Sequence, residues 1–247
     1  MTIKIDALAQ PTEPIVFQPD APSAPCERTG STDWQRRLPV LRGAGFHLRE
    51  LRHSDAASLC LMLTTEEVSR FVTQPPTSVD GFEEFIEYAQ RRRRLGEFLC
   101  FAVVPDGLDT AVGIFQLRAL DPQFSTAEWG FALGTPFWGT GLFQKGAELV
   151  IAFAFDQLGA HRLEARAMAA NERGNGALRK LGAQREAVLR HSMAKSGALH
   201  DEHLWAIIET DWRRAGAAQP STHDISPSCP SDHVGRWNGP VGSSRVH

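Results

Sequence analysis

A glycine-containing turn, Pro136 to Gly141, is the part of the sequence whose residue types and spacing best suit ligand chemistry. The segment before it, residues 126–133, has the composition of a strand, and the segment after it, residues 142–158, that of a long helix. Glycines let a backbone come close to a ligand, and the free N–H groups at a helix start point towards negative charge. The pattern therefore predicts a site for a ligand that carries phosphate.

Two familiar phosphate-binding patterns do not fit this turn. The dinucleotide pattern Gly-x-Gly-x-x-Gly would place its third glycine at Gln144. A P-loop would require Gly-Lys-Ser/Thr, where this sequence has Gln144-Lys145-Gly146. The turn is therefore predicted to hold phosphate in some other context.

The elements that must position this turn follow from hydrophobic periodicity and from turn residues. The predicted order is β-α-α-β-β-β-α-β-α-β-β, which is an α/β (α+β) fold with a mixed sheet. In chain order the elements are a strand at 46–51, a helix from residue 54, a helix from Ser78 or Asp80, strands at 98–104, 111–120 and 126–133, a helix at 142–158, a strand at 162–168, a helix from Asn171 to Gly182, and strands at 186–194 and 199–208.

Composition divides the 247 residues into one domain with two arms. Residues 1–37 contain many prolines and little periodicity, and residues 215–247 are rich in Ser, Pro and Gly. Both arms are predicted to be disordered. Residues 38–214 are then the folded domain, and the hydrophobic content of 42% suits a globular core.

Charge and cysteine usage exclude several classes of function. A formal net charge of −3 gives no general attraction to nucleic acid or to anionic membranes, so neither is expected as a partner. The 4 cysteines include no C-x-x-C pair, which speaks against a zinc knuckle and against a disulfide framework. No apolar segment follows Met1 as in a signal peptide, so we expect a soluble, cytoplasmic protein.

Two other clusters of charged or metal-ligating residues could form sites. The run Arg91 to Arg94 could bind nucleic acid or a cofactor phosphate, but a solvated helix end is favoured, since cations stabilise a helix C-terminus. His200 and His203 enclose two acidic residues, yet on a strand they point to opposite faces and a third ligand is lacking. No metal is predicted.

Several further segments carry a family signal, in register along about residues 38–212: Glu128–Leu133, Trp138–Gly141, Phe153–Glu164, Asn171–Ala183 and Glu186–Arg190. Together they resemble the GNAT superfamily of acetyl-CoA-dependent N-acetyltransferases, and most closely its branch of ribosomal-protein N-terminal acetyltransferases. The resemblance implies a GNAT-like mixed, splayed β-sheet flanked by helices. It also implies acetyl-CoA as the co-substrate.

The resemblance assigns cofactor contacts to three parts of the chain. It implies that the strand before the turn holds the pantetheine arm, that the turn holds the pyrophosphate, and that two asparagines after the next strand contact the cofactor. The residues concerned are Phe131, Ala132 and Leu133, then Trp138, Gly139, Thr140, Gly141, Leu142 and Phe143, then Asn171 and Asn175.

The chain departs from the family pattern at several positions near the turn. Phe143 stands where the general pattern has glycine or alanine, and Lys145-Gly146 where the branch has Glu-Ala. A nearby phosphate or a pair with Glu148 would each explain Lys145 at a helix start. Gly174 stands where the branch has serine, and because glycine weakens a helix, a packing or ligand reason is expected for it.

By resemblance, an amine attacks the thioester directly, and Glu128 is the candidate general base, directly or through a water. Many relatives use a tyrosine as the acid, but the only tyrosine here is Tyr88, which falls in the second predicted helix. Ser192, His191 or water are alternatives for that role.

The acceptor stays open between a protein N-terminus and a small-molecule amine. The acidic residues Asp121, Glu128, Glu164 and Glu172 would favour a cationic amine if they face the site. The alternative function is a CoA-binding regulatory or interaction protein without turnover. The resemblance also allows a homodimer.

Overall fold

The computed structural model of the protein describes residues 34–72 and 75–217. The predicted arms fall almost entirely outside these ranges. Trp34 nevertheless packs edge-on against Phe124, with 5.6 Å between ring centroids, and its carbonyl accepts a hydrogen bond of 3.2 Å from Arg93. Packing therefore begins slightly before the expected boundary at residue 38. Within the two ranges, no helix is long and apolar enough to cross a membrane.

The described residues form an eight-stranded mixed sheet. Its strands are β1 (Leu41–Gly43), β2 (Phe46–Glu50), β3 (Phe98–Pro105), β4 (Gly113–Ala119), β5 (Thr126–Leu133), β6 (Arg162–Met168), β7 (Gln184–Lys195) and β8 (Ala198–Ile208). The spatial order is β1-β2-β3-β4-β5-β6-β8-β7. All neighbours are antiparallel except β5 and β6, which are parallel.

Helices cover both faces of this sheet. They are α1 (Ala56–Leu63), α2 (Glu66–Ser69), α3 (Val79–Arg94), α4 (Leu142–Phe153), α5 (Glu172–Lys180) and α6 (Glu209–Ala217). Short 3-10 turns occupy His53–Asp55 and Thr135–Phe137, and a π turn, Ala154–Leu158, continues α4. Gly159, with a φ of 72°, then ends that helix, as its sequence position predicts.

Local capping chemistry fixes the helix ends that the sequence predicted. The hydroxyl of Ser78 accepts a hydrogen bond from Gly81 N at 3.1 Å and starts α3. The amide oxygen of Asn171 accepts one from Gly174 N at 2.9 Å and starts α5. Gly182, at a φ of 83°, ends α5 in the left-handed conformation that glycine adopts readily.

The two faces of the sheet bury separate apolar cores. One core joins α4 and α5 to the face that carries Phe101, Phe131 and Trp205. The other joins α1 and α3 to the face that carries Ala102 and Ala132. Alternate residues of one strand therefore enter different cores, which is why β3 and β5 are apolar on both sides.

The parallel pair β5 and β6 stays together over only a short length. The register joins Thr126 to Arg162 and ends with Glu128 beside Glu164. Beyond that level β5 continues to Leu133 and β6 to Met168 without pairing to each other. The sheet is therefore splayed, as predicted, and the opening lies next to the glycine turn.

The structure adds elements that the periodicity did not predict. These are the short strand β1, the single-turn helix α2 and the last helix α6. The interpretation of the arginine run as a solvated helix end is wrong for Arg93, which is buried and whose Nε donates to Glu50 Oε1 at 2.7 Å. That residue ties α3 to β2 and stabilises the fold.

Candidate active site

The predicted phosphate-binding turn lies at the C-terminal end of β5 and leads directly into α4. Gly139 and Gly141 have φ angles of 77° and 84°, which only glycine adopts without strain. The hydroxyl of Thr140 donates to Phe137 O at 2.9 Å and accepts from Leu142 N at 3.3 Å. The next N–H groups of a first helical turn have no partner inside the helix, so they remain suited to an anion.

Trp138 fixes this turn to the strand before it and to the helix across the cleft. Its indole Nε1 donates to the carbonyl of Leu133 at 2.7 Å. The guanidinium carbon of Arg173, on α5, lies 4.7 Å from the centre of the Trp138 ring. This cation–π contact joins the turn to α5 across the site.

Phe143 fills the space beside the turn with an aromatic ring. The ring lies 4.3 Å from that of Phe131 and 6.0 Å from that of Phe115, measured between centroids. The departure from the family pattern therefore has a packing reason, because the phenyl group covers the aromatic residues of β4 and β5. Lys145 is exposed, and Glu148 accepts a hydrogen bond from Gln144 at 2.9 Å instead.

A cleft of about 390 Å³ lies between the start of α4 and α5. Its walls are Gly139, Gly141, Phe143, Gln144, Glu172, Arg173, Gly176, Ala177 and Lys180. A methyl group on Gly176 would meet nothing within 4 Å. A methyl group on Gly174 would lie 2.9 Å from Cγ of Asn171. The two glycines of α5 thus have different structural roles. Gly174 leaves room for the side chain of Asn171 that caps the helix, and Gly176 leaves the cleft free of a side chain at that point.

The two predicted cofactor asparagines are buried beside this cleft. Asn171 caps α5, as described above. The Nδ2 of Asn175 donates to Met168 O at 2.9 Å and to Asn171 O at 2.8 Å. Its Oδ1 accepts from Trp205 Nε1 at 2.8 Å and lies 3.1 Å from His203 Nδ1. Both side chains hold the protein together, and their contact with a cofactor stays a prediction.

Glu128 lies where β5 and β6 separate, on the sheet face opposite α4. Its Oε2 accepts a hydrogen bond from Nη2 of Arg118, its cross-strand partner on β4. Its Oε1 lies 3.7 Å from Nε of Arg166 on β6. The carboxylate is nearly buried, with 8% of the side chain exposed. It can therefore serve an amine best through one intervening water.

The other acidic residues that were considered for acceptor binding have different roles. Asp121 shapes the turn before β5: burial opposes its ionisation, but hydrogen bonds from Thr126, Ser125 and Gln123 lower its pKa. Glu164 accepts from Arg162 Nε at 2.9 Å. Glu172 lies in the cleft beside α5 rather than near Glu128. Glu128 and Glu164 therefore lie side by side where β5 and β6 separate.

The three side chains considered as the general acid lie in different environments. Tyr88 packs against Phe98 in the core below α1 and α3, at 5.8 Å between centroids. The hydroxyl of Ser192 donates to Glu202 Oε2 at 2.8 Å, and Glu202 is buried on the same sheet face as Arg166. His191 is exposed. Among the described residues no group of three His, Cys, Asp or Glu could hold a metal ion.

Comparison with known proteins identifies the family. Residues 46–184 match the description "Acetyltransferase (GNAT) domain". The chain is 25% identical over 166 residues to the uncharacterized N-acetyltransferase p20 of Bacillus licheniformis, which covers 67% of this chain and 93% of that protein. The chain therefore belongs to the GNAT acetyltransferases, as the residues of the turn and of α5 predicted. It is an N-acetyltransferase.

Solved structures agree with this fold. Mycobacterium smegmatis RimJ in complex with CoA-disulfide gives a TM-score of 0.63 at 22% identity, covering 73% of this chain and 92% of that chain. The ribosomal-protein-S5-alanine acetyltransferase of Vibrio fischeri gives 0.63 at 18% identity, covering 70% and 98%. The mixed sheet and the predicted element order are thus confirmed as a GNAT fold.

The GNAT fold typically binds acetyl-CoA, and the residues around the splayed strands fit such a ligand. The first turn of α4 supplies N–H groups for phosphate, and the two left-handed glycines keep side chains away from it. Gly176 leaves the opposite wall open. The unpaired part of β5 has free strand positions for an extended arm.

Sequence reasoning missed three residues of this region, Arg118, Arg166 and Arg173. Each of these arginines is a single charged residue that belongs to no recognisable sequence motif, so neither its type nor its spacing indicated a function. The pairing of Arg118 with Glu128 could have been found by aligning the predicted strands 111–120 and 126–133 as an antiparallel pair. The positions of Arg166 and Arg173 depend on the parallel crossover and on the placement of α5.

Proposed function

We propose that the protein transfers an acetyl group from acetyl-CoA to a primary amine by direct attack of the nitrogen on the thioester. The observation that carries this proposal is the position of Glu128 where β5 and β6 separate, with the glycine turn at the other end of the same strand. One strand thus links an anion site to a candidate base.

The proposed cofactor contacts follow the opening from the turn inwards. The N–H groups around Gly141 to Phe143 would hold the pyrophosphate, as helix starts hold anions. The main chain of residues 131–133 would hold the pantetheine arm, although the Leu133 carbonyl is already engaged by Trp138. Arg173, held on the Trp138 ring, adds a positive charge at the mouth of the cleft.

Acetyl-CoA supplies an activated acyl group, and the chain supplies position, charge and a proton acceptor. A main-chain N–H of β5 beside the opening would stabilise the oxygen that becomes negative as the nitrogen–carbon bond forms. Glu128, through a water, would take the proton that the amine nitrogen loses. When the carbon–sulfur bond breaks, the thiolate takes a proton from solvent. Such a reaction gains most from holding both partners in line.

The acceptor class is proposed as a primary amine on either a protein terminus or a small molecule. The neighbours named for ribosomal-protein acetylation share this fold at low identity, which supports a protein terminus only as one candidate. Asp121 and Glu164 accept hydrogen bonds from neighbouring residues, which makes both carboxylates less suited to binding a polycation. We also propose acetyl-CoA as the co-substrate and the cytoplasm as the location.

An acceptor screen that measures release of free CoA tests this function. Wild-type protein should release CoA only when a suitable amine is present. Glu128→Gln should lower kcat by roughly 10²-fold or more, since general bases contribute at least that much, while calorimetry shows acetyl-CoA still bound. Glu84→Gln, an exposed carboxylate on α3, is the matched control and should retain full turnover. Undiminished turnover in Glu128→Gln would remove that residue from the mechanism.

A different result would support the non-catalytic alternative. Calorimetric binding of acetyl-CoA without CoA release across a broad amine panel would indicate a binding protein. Failure to bind acetyl-CoA at millimolar concentration would contradict both functions.

A further inference from the structure

Arg166 has hydrogen-bond donors that no described residue uses, and it lies beside the candidate base. Its Nε is buried without a hydrogen-bond partner, and the nearest carboxylate oxygen, Oε1 of Glu128, is 3.7 Å away. The side chain nevertheless remains 35% exposed. A guanidinium carries five N–H donors in a fixed fork, so the outer part of this one is available to a ligand.

The neighbouring carboxylates are engaged with other partners. Glu128 pairs closely with Arg118 through Oε2. Glu164 accepts from Arg162, which also holds Glu186 at 3.0 Å. Glu202 accepts from the hydroxyl of Ser192. Within residues 34–72 and 75–217, none of these groups forms a hydrogen bond with Arg166. Its ion pair with Oε1 of Glu128, at 3.7 Å, involves only the Nε edge of the guanidinium.

The register of the sheet places Arg166 at the mouth of the opening. Glu164 is the last residue of β6 that pairs with β5, and Arg166 follows two residues later on the same face. This face is opposite α4, because Leu163, Ala165 and Ala167 enter the core under α4 and α5. If the cofactor enters beside α4 and α5, the acceptor must approach from the face that carries Arg166.

We infer that Arg166 recognises a carboxylate on the acceptor, so that the substrate is an amine with a carboxylate close to the reacting nitrogen. This inference rests on the proposed acetyl transfer. The planar fork of arginine fits such a group through two parallel hydrogen bonds, which a lysine cannot reproduce. Glu128 and Arg166 then receive the two ends of one zwitterion, the first its ammonium and the second its anion.

Two kinds of molecule provide this chemistry: a free α-amino acid, and a peptide whose N-terminal residue is followed by an acidic one. CoA release with matched acceptors distinguishes them. The first pair is an α-amino acid and its carboxamide, and the second is a pair of peptides that differ only by Asp or Asn at the second position. Each pair changes one negative charge and leaves the amine in place.

Wild-type protein should prefer the charged member of one pair by roughly 10- to 100-fold in kcat/KM, as expected for hydrogen bonds to a charged group. Arg166→Gln should abolish that preference, so that the two members of the pair have equal kcat/KM within the variant. The comparison is made inside one variant because the loss of the guanidinium also changes the charge beside Glu128. Arg166→Lys should restore only part of it. Arg94→Gln, an exposed arginine at the end of α3, is the matched control and should keep the full preference.

The outcomes separate this inference from the function on which it rests. Equal kcat/KM for both members of both pairs, or an equal loss for both in Arg166→Gln, would overturn the role of Arg166 while acetyl transfer stands. If acetyl-CoA binds but no amine releases CoA, both proposals fail. Acetyl-CoA affinity and the unfolding temperature of Arg166→Gln, measured in parallel, show whether the variant is folded and loaded.

Discussion

The indole N–H of Trp205 on β8 donates to the side-chain oxygen of Asn175 on α5 at 2.8 Å. The amide nitrogen of the same asparagine donates back to the carbonyls of Met168 and Asn171. One buried side chain thus joins β6, β8 and α5, and α5 forms one wall of the cleft. Family resemblance assigned Asn175 to the cofactor, and the contacts give it a structural task that would hold without any ligand.

Asn175→Ala should therefore destabilise the protein. The change leaves the indole N–H of Trp205 without its partner, and buried unsatisfied groups are costly. It also removes one hydrogen bond from each of the carbonyls of Met168 and Asn171, which keep their main-chain hydrogen bonds. We expect a loss of about 2–3 kcal/mol in the free energy of unfolding, measured with urea. Lys180→Ala, at an exposed position of the same helix, is the control and should change it by less than about 0.5 kcal/mol. A small effect of Asn175→Ala would contradict the structural role.

The two glycines of α5 should respond in opposite directions to alanine. At Gly176 the added methyl group meets open space, so the helix should gain about 1 kcal/mol from alanine. At Gly174 it would press on the buried Asn171 cap, and overpacking with loss of the cap should outweigh that gain by about 1 kcal/mol. Urea unfolding of both variants checks the signs.

The same pair also tests the site. Because Gly176 lines the cleft, a bulkier leucine there should weaken acetyl-CoA binding, as measured by calorimetry, without unfolding the protein. If Gly176→Leu bound acetyl-CoA as tightly as wild type, the cofactor would not run along this wall.

Much of the fold could be predicted because its signals are local. The caps at Ser78 and Asn171 and the stops at Gly159 and Gly182 each depend on residues within one turn. Strand β1 is too short to show alternation, and α6 follows a strand without a break, so periodicity missed both. Trp34 belongs to the domain only because Phe124 lies next to it in space.

The candidate site was predicted less completely, since its side chains meet through the tertiary structure. The turn, its left-handed glycines and the strand before it were predictable from composition. The contact of Phe143 with Phe131 and that of Arg166 with Glu128 were not, because each joins residues from different elements. Charged residues on strands are usually solvated, and nothing in the pattern of Arg118 or Arg166 marks them as an exception.

The free energy of unfolding should depend on pH through His203. Burial and the nearby Arg185 lower the pKa of His203, while Asp201 opposes them. Below the ordinary value of 6.5 the unfolded chain binds a proton that the folded protein binds less readily. The stabilisation that neutral His203 contributes is therefore complete above pH 6.5. It is lost as the pH falls from 6.5 through the lower pKa of His203 in the folded protein.

Replacing the imidazole tests this dependence. The urea midpoint of wild type should fall more between pH 7 and pH 5 than that of His203→Gln, because only wild type carries the shifted group. His161→Gln removes an exposed imidazole and should follow the wild-type curve. Parallel curves for wild type and His203→Gln would show that this side chain does not titrate differently on folding.

Gly146 and Phe115 should be coupled, because α4 lies directly on β4 at this point. A methyl group on Gly146 would lie 2.7 Å from the ring of the buried Phe115. Alanine would improve the helix by about 1 kcal/mol but would overpack the core by about 1–3 kcal/mol. We expect Gly146→Ala to destabilise wild type and to stabilise the Phe115→Leu variant, which offers more room.

The resulting double-mutant cycle should give a coupling of about 1 kcal/mol or more, measured by urea unfolding. Additive effects would mean that α4 does not rest on the Phe115 ring. Such a coupling would account for glycine at position 146, because an aromatic residue on β4 occupies the space that a methyl group would need.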